Sequence, residues 1–360
     1  MRVMKHLVVG MLLIGLIVAL AAYFGQSKVT TLGKESILLT EPQQLLVKPG
    51  SSFRAVIEEL VERGIIDQPL LLRLYARQHK LSQRIQAGEY LLEPGLSHDG
   101  MLQMMVDGRV ISYQVTLVEG QTVKEFVAVL QSHPQLVTTL EHSDPQSIAS
   151  LLNITGSAEG WIYPDTYQFT RGTSDLQILQ RAYRTMKTVL EQEWAERADK
   201  LPLQSAYEAL ILASIVEKET GVAVERPAIA GVFTRRLQKG MRLQTDPTVI
   251  YGMGDRYKGN IRRADLLQET PYNTYRINGL PPTPIANPGR AAIHAALHPE
   301  SGGALYFVAK GDGSHQFSAT LQQHNSAVAR FQRHQRRQNY RSSPAVSSDS
   351  VVNPTQKDTR

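Results

Sequence analysis

Ala209-Leu210-Ile211-Leu212-Ala213-Ser214-Ile215-Val216-Glu217-Lys218-Glu219-Thr220-Gly221 is the stretch on which the fold turns. Its first eight residues are apolar almost all round, and a helix of that kind is buried on most of its faces. Charged residues at the end of such a run mark either the point where the helix meets solvent or a functional site. Gly221 is expected at the C′ position that ends the helix. Spacing separates the two glutamates: Glu219 continues the stripe of Leu212, Ile215 and Val216, whereas Glu217 follows Leu210, Ala213 and Ser214. Burial and the negative end of the helix dipole both disfavour the Glu219 anion. A carboxyl so placed suits a general acid near neutral pH.

On either side the apolar periodicity predicts two more helices, over 176–198 and 226–239, the latter closing at Gly240. The loops that follow are rich in Pro, Gly, Asn and Thr. Gln244-Thr245-Asp246-Pro247-Thr248-Val249-Ile250-Tyr251-Gly252 and Pro271-Tyr272-Asn273-Thr274-Tyr275 combine aromatic, amide and hydroxyl groups, as does the Pro-rich run from Gly279 to Gly289. Loops this polar carry function more often than packing. Aromatic faces edged by neutral hydrogen-bonders suit a sugar ring, and His315, Phe317, Thr320, His324 and Asn325 extend the set. A buried strand is expected over 305–309, with a turn at Gly311-Asp312-Gly313.

Upstream, one pattern recurs three times: a short apolar strand, a Gly turn, a hydroxyl residue and an amphipathic helix. The copies begin at Gln44, Glu89 and Ser112, and Ser52, Ser97 and Thr122 stand where each helix would be capped. Thr122 and Glu125 have capping-box spacing. Strands flanking helices in this way give a small α+β module; residues 45–110 look like a LysM-type glycan-binding module, with a non-binding spacer as the alternative. The expected fold class is α+β. Its parts are a cytoplasmic stub and transmembrane helix over 1–28, a connector over 29–44, the module over 45–110, a linking α/β segment over 111–150, a catalytic domain over 151–335 and a disordered tail over 336–360.

Between Lys5 and Lys28 lie 22 residues without Asp, Glu, Lys or Arg, enough to cross a bilayer as a helix. Arg2 and Lys5 orient the N-terminus inwards, although Lys28 and Lys34 weaken the bias. Ala19-Leu20-Ala21 leaves a cleaved signal peptide as the alternative. In both cases the bulk of the chain is exported. The 360 residues allow roughly two domains, and 42% hydrophobic with 20% charged residues is ordinary for a globular fold. The net charge of +6 owes part of its value to Arg330, Arg333, Arg336, Arg337 and Arg341. No nucleic-acid module accompanies that run, so a nucleic-acid partner is not expected. The absence of cysteine excludes a thiol nucleophile, thiolate zinc sites and disulfides. His315 and His324 are nine residues apart and no HExxH occurs, so no metal is expected there; a phosphate loop and a G-x-S-x-G elbow are missing too. No cofactor is expected.

The stretches Glu159–Tyr167, Ala213–Thr220, Gly240–Gly254, Tyr272–Tyr275 and His315–Asn325 resemble the endolytic murein transglycosylase family, membrane-anchored lytic transglycosylases. The resemblance runs over about residues 1–335, and Thr283 departs from it where Gly is expected. It implies a catalytic glutamate at the second Glu of E-K-E-T, here Glu219. Gln244, Asp246, Tyr272, Asn273, Tyr275, His315, Phe317, His324 and Asn325 are the expected substrate-binding residues. The implied reaction cuts the β-1,4 bond between N-acetylmuramic acid and N-acetylglucosamine of peptidoglycan without water, leaving 1,6-anhydro ends. The implied setting is the cell inner membrane, single-pass, with the catalytic domain in the periplasm beside a peptidoglycan synthase. Two alternatives stay open: a hydrolytic muramidase with Asp246 assisting water, and a non-catalytic membrane-tethered peptidoglycan-binding scaffold.

Overall fold

A computed structural model of the protein describes residues 2–334, so the tail expected over 336–360 lies outside the described residues. The chain is α+β and divides into two compact units, one formed by residues 1–114 with 168–173, the other by 115–167 with the chain from 174 onward.

The first unit begins with α1, Arg2–Lys34, long and apolar enough to cross a membrane. The helix does not stop where the apolar run stops. Its final turns carry Val29 and Leu32 into the core of the unit, and Gly33 lets it close on Tyr75, whose ring a Cβ would meet at 2.4 Å. Residues 29–34, expected within a connector, are therefore part of the module itself, because burying Val29 and Leu32 there removes apolar surface from water. Next come β1 (Gln43–Val47), α2 (Phe53–Glu62), α3 (Pro69–Gln78), β2 (Gly88–Leu92) and α4 (His98–Asp107). The two strands are antiparallel with Leu45 opposite Tyr90. Their inward faces and the helices enclose Leu45, Ile57, Leu60, Leu72, Tyr90, Leu92 and Met101. Ser52 and Ser97 cap α2 and α4, each accepting a backbone N–H.

The chain leaves this unit through β3 (Tyr113–Thr116) and enters α5 (Val123–Gln131) and α6 (Pro145–Leu152), then β4 (Thr166–Phe169), which pairs with β3. The three strand–turn–helix copies thus do not stack as repeats: the first two strands pair with each other, and the third finds a later partner. Thr122 and Glu125 form the capping box at α5. The second unit is built on α7 (Asp175–Ala195), α8 (Ala206–Glu219) and α9 (Arg226–Gln238), followed by α10 (Asp246–Met253), α11 (Arg263–Leu267) and α12 (Arg290–Leu297). The antiparallel hairpin β5 (Tyr306–Ala309) and β6 (His315–Ser318) leads into α13 (Leu321–Val328). Leu210, Leu212, Ile215, Phe233, Ile293 and Leu297 meet at the centre, so α8 is the buried axis of this unit. Of residues 111–150, expected to be a link, 111–114 belong to the first unit and 115–150 are woven into the second. The Gly120 N–H donates to the Asn287 carbonyl at 2.9 Å, and the Val123 N–H donates to Glu159 at 3.0 Å.

Candidate active site

The eight residues Ala209–Val216 are all buried, which carries Glu219 on the last helical turn to the edge of the core. The helix ends because Thr220 turns extended, at φ −145° and ψ 135°; the Val222 N–H then donates to the Thr220 hydroxyl at 2.9 Å. Gly221 is not the left-handed C′ residue expected of it, since Thr220 has already broken the helical path.

Glu219 is half-buried, and the Thr245 hydroxyl donates to its Oε1. Thr245 is itself fixed. Its N–H donates to Thr274 Oγ1 at 3.0 Å, and its carbonyl accepts from Thr248 Oγ1 at 2.8 Å. The Thr248 and Thr274 hydroxyls lie 2.9 Å apart, so three buried threonines lock the segment that faces the carboxyl. Gln244, with φ at +52°, makes the turn that delivers Thr245. Asp246 opens α10 and accepts from the Tyr275 hydroxyl at 2.7 Å. Burial raises Glu219 to about 7; the negative charge of Asp246 adds to the rise, and the Thr245 hydrogen bond opposes it. Burial, then the charge and hydrogen bond of Asp246, raise the Tyr275 hydroxyl and keep it a donor. The arrangement can hold a proton at neutral pH, release it, and steady the resulting carboxylate through Thr245.

Glu217, two residues earlier, has other work. Its carboxylate accepts from Arg226 Nη2 at 3.2 Å and from the Gly289 N–H at 3.0 Å. It ties α8 to α9 and to the start of α12.

The other expected residues separate into groups. Gln244, Asp246 and Tyr275 gather around Glu219. Tyr272 has its hydroxyl 2.8 Å from Thr283 Oγ1 and its ring edge-on to Tyr251 at 5.0 Å. Thr283, where Gly was expected, thus has a partner. Asn273 is buried with its amide committed: Nδ2 donates to the carbonyls of Asp265, Leu266 and Gln268, and Oδ1 accepts from the Tyr275 N–H. Asn273, expected to contact the sugar, here holds its own loop, because a buried amide must satisfy its groups where it stands. His315 is likewise buried and paired through Nδ1 with Glu225 at 2.7 Å. Phe317 packs against Phe307, His324 stacks on Tyr306, and Asn325 is exposed on α13.

Three residues outside the expected set matter to this geometry. Thr245 is the direct partner of Glu219; its place between Gln244 and Asp246 was its only signal. Arg236 is buried, with Nη1 donating to the Leu243 carbonyl at 2.8 Å and Nε to the Leu305 carbonyl at 2.7 Å. Its guanidinium lies 5.0 Å from the Tyr306 ring centre, so it joins the Gln244 segment to the hairpin. An arginine inside the apolar run of α9 was the readable sign. Glu159 is buried, accepting from the Val123 N–H, from Asn287 Nδ2 at 3.3 Å and from the Tyr251 hydroxyl at 3.1 Å. Burial raises it to about 7 against these bonds, which pull the other way. It thereby fastens the far end of α10, whose near end carries Asp246.

Residues 45–330 match the YceG-like family. The endolytic murein transglycosylase of Bacillus subtilis is 30% identical over 334 residues, covering 88% of this chain and 91% of that protein. That of Streptococcus pneumoniae is 25% identical over 325 residues, covering 79% of this chain and 57% of that longer protein. The crystal structure of a yceG-like protein from Listeria monocytogenes aligns with a TM-score of 0.51 at 31% identity, over 79% of this chain and 99% of that one. A match that takes in both compact units leaves the ancestry of neither in question, and this chain belongs to the YceG-like family.

Proposed function

We propose that this chain is an endolytic murein transglycosylase in which Glu219 is the sole acid and base. The protonated carboxyl gives its proton to the glycosidic oxygen as the bond from muramyl C1 breaks and oxocarbenium character develops. The carboxylate then takes the proton of the muramyl C6 hydroxyl as O6 bonds to C1, giving a 1,6-anhydro end and restoring the acid. Most glycosidases need a second carboxylate to activate water or to act as nucleophile; an internal hydroxyl removes that need. The observation that supports this reading is a half-buried carboxyl, raised to about 7, whose direct partner is a neutral hydroxyl on a locked segment.

The nearness of Asp246, felt by Glu219 through its charge, favours hydrolysis as the second reading. Mass spectrometry of digested glycan strands separates the two, since hydrolysed ends are one water heavier than anhydro ends. Glu219→Gln lowers turnover by about 10²–10⁴-fold, while Glu217→Gln keeps most of it in the folded enzyme. Comparable losses for both would remove Glu219 from its role, and full activity in Glu219→Gln would leave a peptidoglycan-binding scaffold as the better account.

The setting is the inner membrane, spanned by α1, with both units in the periplasm and the first acting as a LysM-like holder of glycan near a synthase, so that cleavage limits strand elongation. Deleting residues 1–25 should release the protein from the membrane fraction with its activity on isolated strands retained.

A further inference from the structure

At the last turn of α7 and the end of α12 three metal-ligand side chains converge, away from the residues around Glu219. Glu193 is 4% exposed, and its Oε2 lies 2.8 Å from His294 Nδ1. His298, one helical turn beyond His294, stacks on it with ring centres 4.3 Å apart. Its Nε2 is buried and has no hydrogen-bond partner among the described residues. One candidate ligand atom from each residue can be chosen so that all three lie within 4.8 Å of one another.

We propose that Glu193, His294 and His298 bind one divalent cation of the zinc class. Two imidazoles and a carboxylate suit zinc and its neighbours, whereas magnesium and calcium take oxygen ligands. His294 on α12 and His298, the residue that ends it, stand four apart and so near one side of the helix. Tetrahedral ligands about 2 Å from zinc stand about 3.3 Å apart, so the set must tighten. His294, exposed over 57% of its side chain, is free to make that movement. An orphaned imidazole nitrogen is costly in a buried place, and a metal ion would satisfy it. Arg290 Nε donates to Glu193 Oε1 at 2.7 Å and supplies the outer hydrogen bond that ligating carboxylates commonly have; Oε2, which now faces His294 Nδ1, turns to the metal as that contact opens. Three protein ligands leave at least one position for water. Since α12 packs on α8, an ion joining α7 to α12 would stiffen the platform beneath the Glu219 helix.

The test uses the full chain in detergent, stripped with a chelator and titrated with zinc chloride by calorimetry, with cobalt chloride as a spectroscopic substitute. One equivalent should bind, with a visible cobalt band and a higher thermal midpoint on zinc addition. His298→Ala and His294→Ala should each abolish the cobalt band, and Arg290→Gln should weaken zinc binding by about 10–100-fold. Because Glu193→Gln can unfold the protein, the histidine variants decide the matter, with their thermal unfolding and glycan cleavage in chelator checked against wild type. No binding to wild type, or binding unaltered in His294→Ala/His298→Ala, overturns the proposal. It stands independently of the cleavage reaction, whose failure would leave the titration unchanged.

Discussion

Burial, opposed by a single hydroxyl, sets how Glu219 titrates. The Thr245 bond favours the carboxylate while burial favours the acid, and burial wins. Since the proposed cleavage needs the Glu219 acid, kcat/KM should fall as pH rises through about 7, tenfold per pH unit beyond it. Thr245→Val removes the interaction that favours the carboxylate, so this basic limb should move to higher pH while the plateau rate drops. Thr245→Ser should leave the limb in place, and a pH–rate profile of the three proteins reads the difference. Glu159 offers a second test, on stability. Below about 4.5 the carboxyl is protonated whether the chain is folded or not. Between there and about 7 only the unfolded chain releases its proton, so stability falls as pH rises, by something on the order of 3 kcal/mol once ionisation is complete. Glu159→Gln, a neutral isostere, should flatten that decline in thermal unfolding measured from pH 4.5 to 8. An unchanged slope would show that Glu159 is ionised in the folded protein.

Among the elements, α8 has two tasks, filling the core and presenting its last turn. Ser214, the one polar side chain in its apolar run, donates to the Ile211 carbonyl at 2.7 Å and accepts from the Ile285 N–H at 3.0 Å. It therefore fixes the Pro-rich loop against the helix. Ser214→Ala strands a buried N–H, and should cost about 1–3 kcal/mol, read as a lower denaturant midpoint with the slope unchanged. The beginnings of the elements were legible beforehand. Ser52, Ser97 and Thr122 could be named as caps because an N-cap needs only a hydroxyl and the helix that follows it. The end of α8 was less so: Gly221 looked like the stop, but the extended Thr220 depends on where the next segment must go.

For the molecule as a whole, the junction between α1 and the first unit is continuous helix. Removing residues 1–25 leaves Val29 and Leu32 in place, whereas removing 1–34 takes both from the core. Losing a buried leucine alone costs about 2–5 kcal/mol. The longer deletion should therefore make the first unit sensitive to limited proteolysis and the shorter one should not. The amino-acid sequence by itself determined the apolar helix, the caps and the buried axis of the second unit, because each depends on spacing within one short segment. Only tertiary structure decided that Thr245 would meet Glu219, that Asn273 and His315 would be used up by their neighbours, and that Glu159 would be buried beneath α10. Those pairings join residues 26 to 92 positions apart, or turn on which groups a folded loop leaves unsatisfied, and local periodicity carries no trace of either.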